Sequence, residues 1–133
     1  MHSLFPTRAG KAGEGVFTNA EFYHWMPKPR VQKFTKEFEK RAKKKGFDPP
    51  HPLQFDVSVY DSTHMLAHVM KEKGITNNPG NLAKERELIM QGLNELKDFP
   101  GLATALSFDQ KTGDAARKVY VVKAQGGEWV LVE

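Results

Sequence analysis

At 133 residues, with 20 Lys and Arg against 16 Asp and Glu, the chain has the length of one domain and a formal net charge of +4. It contains no cysteine, which excludes disulfides, thiolate metal sites and a cysteine nucleophile. A hydrophobic fraction of 39% suffices for a core, and no apolar run reaches the length of a bilayer span.

The stretch from Met1 to Gly10 lacks the apolar region of a secretory signal, and Gly10, Gly13 and Gly15 among polar neighbours read residues 1–14 as a loop. A strand is expected at Val16-Phe17-Thr18. The aromatic run Phe22-Tyr23-His24-Trp25-Met26 ends at a Pro-Lys-Pro break, which biases it away from helix. Such a cluster covers a core or a hinge, or stacks on bases beside lysines. Pro29 suits a first helical turn. A helix follows to about Lys45, with Val31, Phe34, Phe38 and Ala42 on one face and charges elsewhere. Gly46 fits its C-terminal cap. The basic run Arg41 to Lys45 is read as a solvated face in preference to a nucleic-acid surface.

After the loop Asp48-Pro49-Pro50-His51-Pro52, the residues Phe55, Val57 and Val59 alternate as in a strand. Tyr60, Thr63, Ala67 and Met70 follow helical spacing, and neither Gly nor Pro lies between 53 and 73. One helix from about Leu53 to Glu72 is therefore expected. A turn over Ile75–Gly80 leads to Asn81 as N-cap and a helix whose stripe is Leu82, Arg86, Ile89, Leu93 and Leu96, interrupted by Gly92. The apolar run Leu102 to Phe108 feeds a polar turn at Asp109–Gly113. Two β-rich runs then flank Gly126-Gly127, the pattern of a hairpin.

His64 and His68 stand one helical turn apart, a spacing that can hold zinc. No glutamate follows the first histidine, so a surface pair is the preferred reading and no metal is expected. Asp109, Gly113 and Asp114 lack the twelve-residue calcium pattern and read as a turn. Ser62 and Ser107 have no evident base partner. Without a nucleophile–base pair or metal cluster, no enzyme and no cofactor are expected.

Taken together, several pieces resemble the C-terminal part of the branched-chain amino-acid type of periplasmic substrate-binding protein, the receptor of an ABC importer. They are Val59-Tyr60-Asp61 heading a helix, Phe99-Pro100-Gly101, Ser107-Phe108-Asp109, Thr112-Gly113-Asp114, the Val119-Tyr120-Val121-Val122 strand and Gly126-Gly127-Glu128-Trp129-Val130. The resemblance runs from about Ala9 to Glu133 and covers the last third of a family member. It implies an α/β fold: a C-terminal fragment of the type I periplasmic-binding-protein fold, about three helices plus a short sheet ending in an antiparallel hairpin. The expected organisation is a single partial domain, with residues 1–14 a loop, 15–101 the helical part of the N-terminal lobe and 102–133 a β-rich closure. Family members have two lobes joined by three hinge strands, with the ligand trapped between them.

The resemblance also implies a solute receptor for branched-chain or other apolar amino acids or aromatic acids, working with a membrane permease in the periplasm. Phe55 matches a position where relatives set an aromatic against the ligand; Tyr60 and Phe17 are weaker candidates. Phe55 reads equally as a core residue, and Tyr60 reads first as one. The family's polar anchors come from earlier sequence, so this chain by itself is expected not to bind tightly. Unpaired apolar faces point to a homodimer or a second fragment. Two alternatives remain: a stand-alone interaction or sensory module, favoured by an exposed Phe22–Met26 patch, and a nucleic-acid binder using Arg41 to Lys45.

Overall fold

The computed structural model describes residues 4–132. In chain order the elements are α1 (Phe5–Ala9), a 3-10 turn (Gly10–Gly13), β1 (Phe17–Ala20), α2 (Pro29–Lys44), α3 (Gln54–Glu72), a second 3-10 turn (Pro79–Asn81), α4 (Leu82–Glu95), β2 (Phe99–Pro100), β3 (Ala105–Phe108), β4 (Ala115–Ala116), β5 (Tyr120–Gln125) and β6 (Glu128–Leu131). They form two compact units. One takes in residues up to Val57 and those from Lys118 onward; the other is Ser58–Arg117.

The first unit is built on the antiparallel sheet β1-β5-β6. Tyr120, Val122 and Ala124 alternate inward along β5, and Ala20, Val122, Ala124 and Trp129 form a buried cluster. Gln125 pairs with Glu128 across a two-residue turn, and both central glycines have positive φ, 61° at Gly126 and 82° at Gly127. That is the type I′ geometry, which L side chains strain to adopt and which matches strand twist. The Gly-Gly hairpin read from sequence is thus formed as expected.

Residues 1–14, expected as a loop, contain α1 and the 3-10 turn instead; the first three lie outside the described residues. Pro6 fits the first turn of α1. Five residues cannot sustain a helix alone, and tertiary contacts supply the support. The Phe5 ring stacks on Trp129 at 5.7 Å, and the Thr7 hydroxyl donates to the Gly127 carbonyl at 3.1 Å. The Glu14 carboxylate accepts from Gly126 N–H at 3.0 Å.

Helix α2 begins at Pro29 as read, and Val31, Thr35 and Ala42 are its buried residues. The Thr35 hydroxyl donates to the His24 carbonyl at 3.3 Å, tying the aromatic loop to the helix. Arg41, Lys43 and Lys44 occupy its exposed last turn, where they complement the negative end of the helix dipole.

Residues 54–72 are helical throughout, so the alternating strand pattern at Phe55–Val59 gives way. The Asp56 carboxylate accepts the Leu53 N–H at 2.7 Å and satisfies a donor at the helix start. The buried face is not the expected Tyr60, Thr63, Ala67 and Met70 but Val57, Asp61, Met65 and Val69. Asp61 faces inward because its carboxylate accepts the buried Leu102 N–H at 2.8 Å.

Asn81 stands at the N-cap position of α4 as expected but its side chain makes no capping hydrogen bond; the side chain of Asn78 caps the preceding 3-10 turn, accepting from Gly80 N–H at 3.0 Å. The buried positions of α4 are Glu85 and Gly92, one step round from the expected stripe, and Leu82 is exposed. Glu85 accepts from Thr76 N–H (3.0 Å), the Thr76 hydroxyl (2.6 Å) and Asn77 N–H (2.9 Å), which fixes the turn before α4. Gly92 is required by close packing. A Cβ there would lie 2.5 Å from Cγ1 of Val69 on α3. In the same unit, β2-β3-β4 form a second antiparallel sheet, and Asp109 accepts from Lys111 and Thr112 N–H at 2.8 and 2.9 Å to shape the polar turn.

Candidate functional site

The first unit encloses a cavity of about 510 Å³, a size typical of small-ligand pockets. Four stretches line it: α1 with Leu4 and Thr7, the loop Phe22–Trp25 after β1, Pro49–Gln54 ahead of α3, and the hairpin end Gly127–Val130. Sequence forces the second and third stretches out of regular structure. Pro27 and Pro29 end the aromatic run, and Pro49, Pro50 and Pro52 exclude helix before Leu53.

Aromatic rings dominate the lining. Tyr23 lies 4.9 Å from Trp25 and 5.4 Å edge-on from Tyr120. The Trp25 ring meets His24 at 4.8 Å in a T-shaped pair and is 38% exposed, whereas Phe22, Tyr23 and Met26 are buried. The Phe22–Met26 cluster is therefore mostly core. The exposed patch that would have favoured a protein-docking module is reduced to Trp25.

Two histidines bring the polar chemistry. The His24 and His51 rings stack in parallel, 4.3 Å apart and 3° from coplanar. The His51 Nδ1 lies 2.7 Å from Glu39 Oε1 on α2. A carboxylate only accepts, so it selects the tautomer carrying hydrogen on Nδ1. Burial first, and the neighbouring His51 second, push the His24 pKa below that of free histidine; Glu39 and Glu128 oppose this without reversing it. His24 is consequently a neutral ring at pH 7. Burial, then Tyr120, pushes the Tyr23 phenol up. Among the described residues, Glu128 is the one Asp, Glu, Lys or Arg of the lining.

The structure places the three residues singled out from sequence apart from this cavity. Phe55 sits in the first turn of α3 and is 81% exposed, so the core reading of it fails. Phe17 opens β1, 58% exposed, with the Lys123 ammonium 5.7 Å from its ring centroid. Tyr60, in the second unit, is half-buried and meets the His64 ring at 4.3 Å. His68 instead meets Phe99 at 5.7 Å, so the two histidines engage different neighbours. Among the described residues no group of three or more metal-ligating side chains comes together. Backbone N–H groups of Thr112 and Lys111 hold the Asp109 carboxyl below its usual range, as a turn-forming carboxylate requires.

Sequence reasoning noted the aromatic run but missed His51, Glu39 and Glu128. His24 and His51 meet across 26 intervening positions of chain order with no shared periodicity, so no local signal joins them.

A family model described as periplasmic binding protein matches residues 3–128. Similar solved structures include an R. palustris ABC-transporter solute-binding protein in complex with benzoate, at 22% identity and a TM-score of 0.70, covering 98% of this chain and 32% of that one. A leucine-binding protein of Thermotoga maritima aligns at 20% identity and a TM-score of 0.71, covering 96% and 33%. An ABC transporter substrate-binding protein from Desulfitobacterium hafniense in complex with Leu aligns at 23% and 0.69, covering 90% and 32%. No curated protein sequence matches. At these identities the likeness is one of fold, and the chain spans about a third of the length of the structures it matches.

Proposed function

The chain belongs to the periplasmic binding protein family, and on that footing we propose that it supplies the C-terminal portion of a solute receptor of an ABC importer. Its fold is the corresponding part of the type I architecture, mixed α/β with helices and short antiparallel sheets. The proposed solutes are branched-chain or other apolar amino acids, or aromatic acids. The proposed setting is the periplasm, and the proposed partner is the membrane permease. The role is binding and not catalysis: a solute stabilises a closed receptor only through contacts it gains there.

The observation that carries this reading is Phe55. It is a large aromatic left 81% exposed at the start of a helix whose inward face is Val57, Asp61, Met65 and Val69. The resemblance assigns that position to the wall against the solute side chain. Two of the similar structures, in complex with benzoate and with Leu, support the solute class.

Ligand-observed NMR on this chain tests it. Saturation transfer to the side-chain protons of leucine or to the ring of benzoate is expected at millimolar solute and is lost in Phe55→Ala. Transfer undiminished in Phe55→Ala overturns the role of that ring. Calorimetry with the same solutes should give no micromolar heat, since the resemblance puts the family's polar anchors outside the stretch it covers; a clear signal would overturn that expectation.

A further inference from the structure

The cavity of the first unit carries an inference separate from the solute wall at Phe55, which does not line it. We infer that this cavity binds a small organic ammonium ion with an aromatic or apolar body. Charge is the first argument. The chain has 20 Lys and Arg, yet among the described residues neither type lines the cavity, and Glu128 is the one Asp, Glu, Lys or Arg that does. A cation entering the hollow therefore meets the Glu128 carboxylate with no lysine or arginine among the described lining residues to repel it.

The second argument is the wall. Trp25 and Tyr23 form an adjoining pair, 4.9 Å between centroids, and Trp25 keeps 38% of its surface open. Tryptophan and tyrosine faces are the preferred surfaces for cations, and the attraction strengthens where water is excluded. The third argument is what the His24 imidazole withholds. His24 is neutral at pH 7, and the acceptor Glu39 engages His51. His24 offers a hydrogen-bonding nitrogen without a built positive charge, and a carboxylate ligand would meet Glu128 with no Lys or Arg among the described lining residues to oppose it. An ammonium paired with Glu128, its ring laid on Trp25, satisfies all three.

The two tryptophans of the chain, Trp25 and Trp129, both line the cavity, so intrinsic fluorescence reads this site directly. The probes are 2-phenylethylammonium, its anionic counterpart 3-phenylpropionate, and the full chain as target. The ammonium is expected to change the emission saturably with a dissociation constant of about 1 mM or below, while the anion at equal concentration does not. Glu128→Gln, at an exposed position, should weaken the ammonium by about tenfold, as loss of a charge-assisted contact does. No saturable change with the ammonium, equal response to the anion, or unchanged affinity in Glu128→Gln each overturns the assignment. The solute reading concerns anionic or zwitterionic ligands at Phe55, so either can fail without the other.

Discussion

Gly92 is a close-packed position in the second unit, and its replacement by alanine has a sign that can be worked out. In a solvent-facing helix Gly→Ala would add about 1 kcal/mol of stability from helix propensity. At position 92 the new Cβ would lie 2.5 Å from Val69 Cγ1 and 3.1 Å from Lys73 Cε. Carbon atoms rest at about 3.5–4.0 Å, so Val69 must yield about 1 Å. The lysine chain can move aside. Val69 cannot: it is 2% exposed, and a β-branched side chain in a helix has one favoured rotamer. Overpacking of this kind costs about 1–3 kcal/mol, which outweighs the propensity gain. Gly92→Ala should therefore destabilise the chain by about 1 kcal/mol in urea unfolding followed by circular dichroism. In a Val69→Ala background the obstructing methyls are gone, and the same substitution should stabilise by up to about 1 kcal/mol. The double-mutant cycle should thus show a coupling of about 2 kcal/mol. A stabilising Gly92→Ala in the unaltered chain, or additivity within about 0.5 kcal/mol, would refute the claim that α3 and α4 meet through this glycine.

Asp61→Ala removes the acceptor of the buried Leu102 N–H and should cost about 1–3 kcal/mol, while Asp61→Asn, which keeps a carbonyl oxygen in place, should cost less; equal losses in urea unfolding would count against the hydrogen bond. Glu85 has a lowered carboxyl pKa, first through the Thr76 hydroxyl, then the Thr76 and Asn77 N–H groups. Its stabilisation is present above the ordinary carboxylate pKa and is lost as pH falls through the lower folded value. Glu85→Gln should therefore flatten the acid limb of a stability–pH curve below about pH 4.5, and an acid limb as steep as that of the unaltered chain would refute the assignment.

The parts legible in sequence are those set by local chemistry. Pro29 fixes the start of α2, the uninterrupted run between Leu53 and Lys73 makes α3, and Gly126-Gly127 closes the β5–β6 hairpin. Helix α1 was not legible because its support lies far away, in Trp129 and the Gly127 carbonyl. The faces of α3 and α4 were misplaced for one shared reason. A pattern reading sends carboxylates to solvent, but Asp61 and Glu85 turn inward because each accepts backbone N–H groups that would otherwise go unpaired. Burying a paired acid rotates the helix about its axis and moves its apolar neighbours with it.

The same distinction sorts the aromatics. Burying a phenylalanine contributes about 1.5–3 kcal/mol, and the chain takes that gain at Phe22, 2% exposed, while forgoing most of it at Phe55. One exposed ring is ordinary on a protein surface. Two features lift these positions above that level. Trp25 lines a hollow that no Lys or Arg lines among the described residues, and Phe55 stands on a helix that folds through its other faces. Each ring keeps a face open to a ligand, Trp25 beside the Glu128 carboxylate of the lining and Phe55 in the first turn of α3. Exposure alone would leave both as surface accidents; it is the electrostatic setting of the first and the helical register of the second that turn them into separable, chemically opposite binding claims.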